Sequence, residues 1–358
     1  MNILFVQDSS PCIRNIKYAE ALQQRGVNVH LLHRDKTPDQ GYGRGDEFYA
    51  SLHRFNGRFR LLSRIRQLII TQRIDLIHYH NQPDILGAKI IKARLGVPVV
   101  FDCHDFMSFK HRLGYRERVA EKTCNELSCG VVYPSARYLQ EAMQYYSFTP
   151  RRLVFGNYFP RTQILQPSDM LPKLSAADNK IHLVYEGRLA QKKSDHRYIV
   201  RQLEQFPADK YVVHIFPSNR KEFAEYRALP QVCMEQKRPY SELIRAMSVM
   251  DYGLVLFQDT IAAKLPAIRY AFGNKTYDYL CAGLPVLVQD CLDEVRDFVV
   301  DNNVGMKLSE LETLPRSGQS EYRKMVEQVL QIRGQYSMEA QIQRLLDFYD
   351  LCRRECHA

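Results

Sequence analysis

The sequence predicts an α/β protein of two Rossmann-like domains, each a parallel sheet covered by helices, facing a central cleft. Three observations lead there. Short β-rich apolar runs alternate with helical patterns through the first half of the chain, the pattern of a parallel sheet covered on both faces. A polar, proline-bearing stretch without clear periodicity, residues 157–180, interrupts the alternation and reads as a linker. The alternation then restarts, giving one domain in residues 1–160 and a second in 161–335.

In chain order, the strands of the first half are NILFV, VNVHLLH, DLIHYH, PVVFDCH and GVVYP. Between them the pattern predicts helices at 14–25, 58–73, 83–95, 111–127 and 135–146. The helix 58–73 sets Leu61, Leu62, Ile65, Leu68 and Ile69 in one apolar stripe, with Arg58, Arg60, Arg64, Arg66 and Arg73 between them. That stripe is expected to pack on the first sheet, leaving arginines outward. The second half supplies the strands IHLVYEG, YVVHIFP, DYGLVLF and GLPVLV. In such sheets ligands sit beyond the carboxyl ends of the strands, so the loops after the strands are the places to search.

The chain is 358 residues long, 45% hydrophobic and 25% charged, the composition of a globular protein with room for two cores. No apolar run approaches the roughly 20 residues of a membrane span, and MNILFVQDSSP reads as a first strand rather than a signal peptide. Nine cysteines include no CxxC pair, and Cys124/Cys129 and Cys352/Cys356 lack partner clusters of zinc-site spacing, so reduced thiols in a cytoplasmic protein are expected. Charge is uneven. Residues 1–160 carry 23 Lys+Arg against 14 Asp+Glu, whereas 161–358 carry 27 against 26. The basic half calls for an anionic partner: a membrane surface, a nucleic acid or a phosphorylated substrate.

Two nucleotide signatures are absent. The first strand runs into QDSSPCIRN, which has no glycine for a GxGxxG turn, and no GxxxxGK[ST] loop occurs. Two other stretches suit a diphosphate and its ribose. In YEGRLAQKKS a strand ends at Gly187 and is followed by Arg188 and Lys193, a bidentate donor and a point charge. In GNKTYDYLCAGLPVLVQD, Asn274 and Lys275 open a helix whose amide groups attract anions. Asp278, one turn on, faces the same side and can accept hydrogen bonds from ribose hydroxyls, while Gly283 ends the helix. Taken singly, the first could be a solvated basic turn and Asp278 a solvent-facing acid.

Together these stretches, in this order and roughly 90 residues apart, resemble the retaining GT-B glycosyltransferases (glycosyl transferases group 1). RNIKYAEALQQRGVNVHLL is similar to that family's first helix and second strand, and DLIHYHN and GVPVVFDCHD to its strand ends carrying histidines. SMEAQIQRLLDFYDLC resembles its closing helix, which crosses back to the first domain and here would span 336–358. The resemblance implies that Arg188 and Lys193 hold the donor diphosphate and stabilise the leaving nucleotide. It implies that Asp278 binds ribose, and that Gly187, Asn274 and Lys275 line the phosphate turn. His104 matches the histidine beside the donor sugar; His80 would line the acceptor side, or else cap its strand in a polar cluster. Arg14 and Lys17 would lie near the donor phosphates or the acceptor. Two positions depart from the family pattern: Tyr270 replaces a glutamate that contacts the donor sugar, and Ser9-Ser10 replaces a Gly-Gly pair.

The activity so implied is transfer of a sugar from a nucleotide-sugar, with retained configuration, to a lipid-linked or polysaccharide acceptor in bacterial surface glycan assembly. No carboxylate pair of the glycosidase kind is evident, so the leaving diphosphate is expected to take the incoming proton. No cofactor and no metal are expected, since Arg188 and Lys193 supply the neutralising charge and no DxD dipeptide ends a strand. The basic first domain and the stretch KHRLGYRERVAEK suit the inner face of an anionic membrane, with peripheral attachment. Nucleic acid is not expected, because no binding motif for it occurs. A nucleotide-sugar 2-epimerase of the same architecture and a non-catalytic subunit are the rival readings.

Overall fold

The computed structural model describes residues 1–9, 11–34, 45–57, 59–80, 83–147, 151–219 and 223–356; Ser10 and Arg58 lie outside these. The chain divides into two compact units, Met1–Pro160 with Met338–Ala358, and Arg161–Ser337.

The first unit holds seven strands: β1 (Asn2–Gln7), β2 (Asn28–His33), β3 (Ser51–Arg54), β4 (Leu76–His80), β5 (Val99–Asp102), β6 (Gly130–Tyr133) and β7 (Arg151–Val154). They lie in the order β3-β2-β1-β4-β5-β6-β7, and every pairing is parallel. The inner strands are buried on both faces, which is why they read as continuous apolar runs. The helices Ile13–Gln23, Leu61–Thr71, Asp84–Lys92, Tyr115–Leu127 and Ala136–Tyr145 occupy the crossovers. On Leu61–Thr71 the stripe of Leu61, Ile65 and Leu68 is buried, whereas Arg66 and Ile70 are exposed. The long helix Met338–Cys356 belongs to this unit, with Ile342, Leu345, Phe348, Tyr349 and Cys352 buried.

The second unit holds β8 (Ile181–Gly187), β9 (Tyr211–Pro217), β10 (Val232–Met234), β11 (Tyr252–Val255), β12 (Val286–Val288) and β13 (Gly305–Lys307). Their order is β10-β9-β8-β11-β12-β13, again all parallel. Both sheets reverse their strand order at one point, between β1 and β4 and between β8 and β11. A crevice beyond the carboxyl ends at such a point is where open α/β sheets take their ligands.

Three expectations need correction. The stretch 161–180 is no free linker: Lys173 Nζ donates to the carbonyls of Ser248 (2.9 Å) and Met250 (2.7 Å), and Ser175 Oγ to Asp251 (2.7 Å). These bonds tie it into the second unit. Four strands, β3, β7, β10 and β13, were not foreseen. Seven described cysteines are free, but Cys129 is disulfide-bonded, so the thiols are not all reduced. Among the described residues no helix is long and apolar enough to cross a membrane.

Candidate active site

In the first unit a buried polar cluster gathers at the switch point. The strand register sets Gln7, His80 and Asp102 side by side at the carboxyl ends of β1, β4 and β5. Asp102 is its hub. Arg14, from the first turn of the helix Ile13–Gln23, clasps it bidentately: Nε reaches Oδ2 at 3.0 Å and Nη2 reaches Oδ1 at 3.1 Å. His104, His80 and His78 place ring nitrogens 3.3, 3.4 and 3.5 Å from Oδ2. The rings of His78 and His80 stack at 4.4 Å, and His78 Nδ1 meets the Tyr349 hydroxyl at 2.6 Å.

The electrostatics divide these groups. Burial works to raise the Asp102 pKa, but the Arg14 and His104 charges outweigh it and hold the carboxyl well below its ordinary range. Burial pulls His78 down, and burial together with neighbouring His78 pulls His80 well down, so both rings favour the neutral form. His104 goes the other way. Burial opposes its charge, yet Asp102 and then Cys12 push it up to about 10. Cys12 is correspondingly lowered: burial resists, but the His104 charge and hydrogen bond prevail. His104, the partly exposed member, is therefore a cationic donor held by an anionic hub, suited to a hydroxyl or an anionic oxygen.

Two of the expected ligand-binding residues are turned inward. Arg14 is 5% exposed, and its remaining donors go to Asn157 and the Phe155 carbonyl. Its charge positions Asp102 instead of meeting an anionic ligand. Lys17 is 1% exposed on the same helix. His80 sits within the cluster with no exposed surface, the strand-capping alternative.

In the second unit the helix Asn274–Cys281 lies under the ends of β8 and β11. Tyr279 fixes it there: its hydroxyl donates to the Leu254 carbonyl at 2.9 Å and accepts from Glu186 N at 3.2 Å. Its ring lies against Gly253, where a Cβ would come within 2.2 Å of it. Lys275, in the first turn, places Nζ 3.6 Å from the centre of the Tyr185 ring, beside Gly187. Burial lowers its pKa to about 7, partly offset by Glu186 and aided by Arg197. Asp278 is buried, and the Tyr240 hydroxyl donates to its Oδ1 at 2.5 Å. Asn274 Oδ1 and Thr276 Oγ1, both buried at this helix start, have no hydrogen-bond partner among the described residues. Arg188 and Lys193 are exposed on the loop after β8. That loop is anchored by Asn219, which bonds both N and O of Leu189 (3.1 Å each), and by the Tyr226 hydroxyl on the Ala190 carbonyl (3.0 Å). Tyr270 follows the short helix Pro266–Arg269, its ring 5.5 Å from the Arg269 guanidinium.

Thus Gly187 and Lys275 are brought together at one switch point, with Asp278 one turn along the same helix, and His80 and His104 meet at the other. Sequence reasoning missed Asp102, His78, Cys12 and Tyr240. The first two were within reach: His78 and Asp102 each lie two residues from a histidine already chosen, and alternate residues of a strand share a face. Cys12 and Tyr240 carried no such signal.

Comparison with known proteins bears on this geometry. Residues 16–155 match the Glycosyltransferase Family 4 model, and residues 185–347 match the Glucosyltransferase 3-like, C-terminal domain model. No curated protein sequence matches the chain. Among solved structures, Anabaena HepE in complex with UDP-glucose is similar at a TM-score of 0.72 and 18% identity, over 97% of this chain and 99% of that one. Sucrose-phosphate synthase from Thermosynechococcus elongatus is similar at 0.70 and 13%, over 98% of both chains. A glycosyltransferase from Rickettsia africae gives 0.70 and 12%, also over 98% of both. These neighbours share the GT-B fold.

Proposed function

We propose that this chain, which carries two glycosyltransferase-family segments on a GT-B fold, moves a sugar from a nucleotide-sugar to a lipid-linked or polysaccharide acceptor. The observation that carries the donor half is the start of the helix Asn274–Cys281. A lysine lowered to about 7, two buried oxygens without partners among the described residues and a buried carboxylate lie together in residues 274–278, at a strand-order reversal. The amides and Lys275 suit phosphate, and Asp278 suits ribose. Arg188 and Lys193, on the adjoining loop, would meet charge that grows on the departing diphosphate. His104, held cationic, would hydrogen-bond the sugar or a phosphate oxygen. On this reading the sugar keeps its configuration, the diphosphate accepts the acceptor's proton and no metal takes part. A similar protein was solved with UDP-glucose, which supports a nucleotide-sugar donor.

For the acceptor, the support is charge and exposure in the first unit. Arg112, Arg116 and Arg118 are exposed around Tyr115 and Val119, and Phe59 and Ile70 are exposed at the two ends of the arginine-bearing helix. Cations beside projecting apolar groups suit an anionic membrane face, where a cytoplasmic enzyme of surface glycan assembly would meet its lipid-linked acceptor.

Thermal-shift screening against UDP, GDP, CDP and ADP and their sugars tests the donor half. A ligand at a hundred times its dissociation constant adds about 2.7 kcal/mol of stability. If none of these nucleotides shifts the transition, the donor reading fails. Flotation with anionic and neutral liposomes tests the membrane half: binding to the anionic kind alone, released by salt, is expected.

A further inference from the structure

The second unit carries another polar assembly, away from the helix Asn274–Cys281. On β9, His214 is the register partner of Cys233 on the edge strand β10, and Glu235 follows two residues later on the same face. On β8, Val184 is the register partner of His214, so His182, two residues earlier, shares that face too. The side chains form a line. Asp178 carboxylate oxygens lie 3.1 and 3.2 Å from His182 Nε2; His182 Nδ1 lies 2.9 Å from His214 Nε2; His214 Nδ1 lies 2.8 Å from Glu235 Oε1. Cys233 Sγ lies 3.5 Å from the same Glu235 oxygen. His182 and His214 are buried, Glu235 is half-buried and Cys233 is exposed.

Counting hydrogens in this line exposes a deficit. Three contacts, carboxylate to ring, ring to ring and ring to carboxylate, each need one hydrogen between their heavy atoms. Two neutral imidazoles supply two. If His182 donates to Asp178 and His214 to His182, then His214 Nδ1 faces the Glu235 carboxylate as lone pair against lone pair. A third proton on the line or a metal cation at that end resolves the conflict, and the thiol of Cys233 beside it supplies a further ligand that only the metal would use.

We propose that His214 Nδ1, Cys233 Sγ and Glu235 bind a divalent metal ion of the zinc class. The donor set is nitrogen, thiolate sulfur and carboxylate oxygen, which suits zinc and excludes calcium and magnesium. The three ligand atoms already lie within 4.8 Å of one another. Around a tetrahedral zinc a sulfur and an oxygen ligand are about 3.6 Å apart, and a nitrogen and an oxygen about 3.4 Å. The Cys233–Glu235 separation meets the first figure as it stands. The His214–Glu235 pair opens by about half an ångström as their contact is exchanged for two metal bonds. On binding, the thiol loses its proton to solvent and the sulfur–metal bond takes its place. Asp178 and His182 act as the outer relay, holding His214 in the tautomer that offers Nδ1 to the metal. The fourth position stays open to water. Through the register His214 and Cys233 are level with Val184, three residues or about 10 Å along the strand direction from Gly187, and they lie on the outer strands β9 and β10, so the metal would tie the edge strand β10 to the sheet.

The test titrates cobalt(II) into the full-length protein after dialysis against a chelator. The expected result is one equivalent of cobalt with a sulfur-to-cobalt charge-transfer band, displaced by one equivalent of zinc. Cys233→Ser, at an exposed position, abolishes the band. Glu235→Gln weakens binding by about a hundredfold and Asp178→Asn by about tenfold, since even outer-relay changes cost about 10–100-fold. No band at stoichiometric cobalt, or an undiminished band in Cys233→Ser that melts like the wild type, overturns the proposal.

Discussion

Gly187 and Lys275 lie against each other: a Cβ placed on the glycine would sit 3.0 Å from Lys275 Cε, and the glycine itself has φ +123°. The end of β8 thus forms one wall of the pocket that holds the lysine. Gly187→Ala is expected to strain the backbone and push the lysine aside. A loss of about 1–3 kcal/mol in denaturant unfolding, with donor binding weakened by more than the stability change explains, is the expected outcome.

Lys275 itself predicts a pH profile. With its pKa near 7 it is charged below that value and neutral above it. If it meets donor phosphate, nucleotide affinity falls as pH rises through about 7, and Lys275→Met flattens the profile. The stability sign is separate. The folded protein binds fewer protons here than the unfolded chain between about 7 and 10.4, so this lysine's burial is most costly at and below 7 and eases as pH rises. Calorimetry across that range in both proteins checks each point.

Asp278 accepts a hydrogen bond from Tyr240 through one oxygen. A ribose held by this carboxylate would give a preference for the ribo- over the 2′-deoxynucleotide of about ten- to a hundredfold, a charge-assisted bond being worth about 1.5–3 kcal/mol. Asp278→Asn should shrink that preference. Tyr240→Phe should weaken both nucleotides alike, because it loosens the carboxylate without removing it. A wild-type protein indifferent to the 2′-hydroxyl would take Asp278 out of the donor site.

Arg188 is exposed, so Arg188→Ala should leave the unfolding curve within about 0.5 kcal/mol of wild type. Turnover should nevertheless drop roughly a hundredfold or more, as when a group stabilising transition-state charge is removed. Full turnover in the variant would place this loop outside the active site.

For the first unit, Asp102→Asn should be severe. It leaves Arg14 charged and buried without its anion and takes away the main charge that keeps His104 protonated, a loss of about 3–5 kcal/mol. The His104 pKa, raised chiefly by Asp102 and Cys12, should fall; NMR titration of its ring reads this directly. For His104 the raised pKa means that its stabilising contribution is fully present below about 6.5 and is lost as pH rises through about 10.

What the sequence disclosed followed burial. The strands inside each sheet, covered on both faces, appear as unbroken apolar runs such as NILFV and IHLVYEG. The four strands it concealed are β3 and β7 in one sheet and β10 and β13 in the other, the edges of each. Each is three or four residues long and only partly buried, so no run marks it. The candidate site divides along the same line. Gly187, Lys275 and Asp278 sit on turns whose local chemistry is visible in order. Arg14 and Lys17 look like surface cations at a helix start; what turns Arg14 inward is Asp102, 88 residues away, a pairing that no local pattern contains.

The helix Met338–Cys356 belongs to the first unit although the whole second unit, Arg161–Ser337, precedes it in the chain. A ribosome therefore releases every residue of the second unit before it supplies the last piece of the first. Until Tyr349 emerges, His78 has no hydroxyl at Nδ1, and the sheet has no Leu345 or Phe348 against it. The nascent first unit must wait, with its histidine and Asp102 cluster incompletely walled, while its neighbour is already able to fold. Chaperone dependence during synthesis, or arrest at a rare codon late in the message, should thus affect the first unit alone, and refolding of the finished chain should escape that delay.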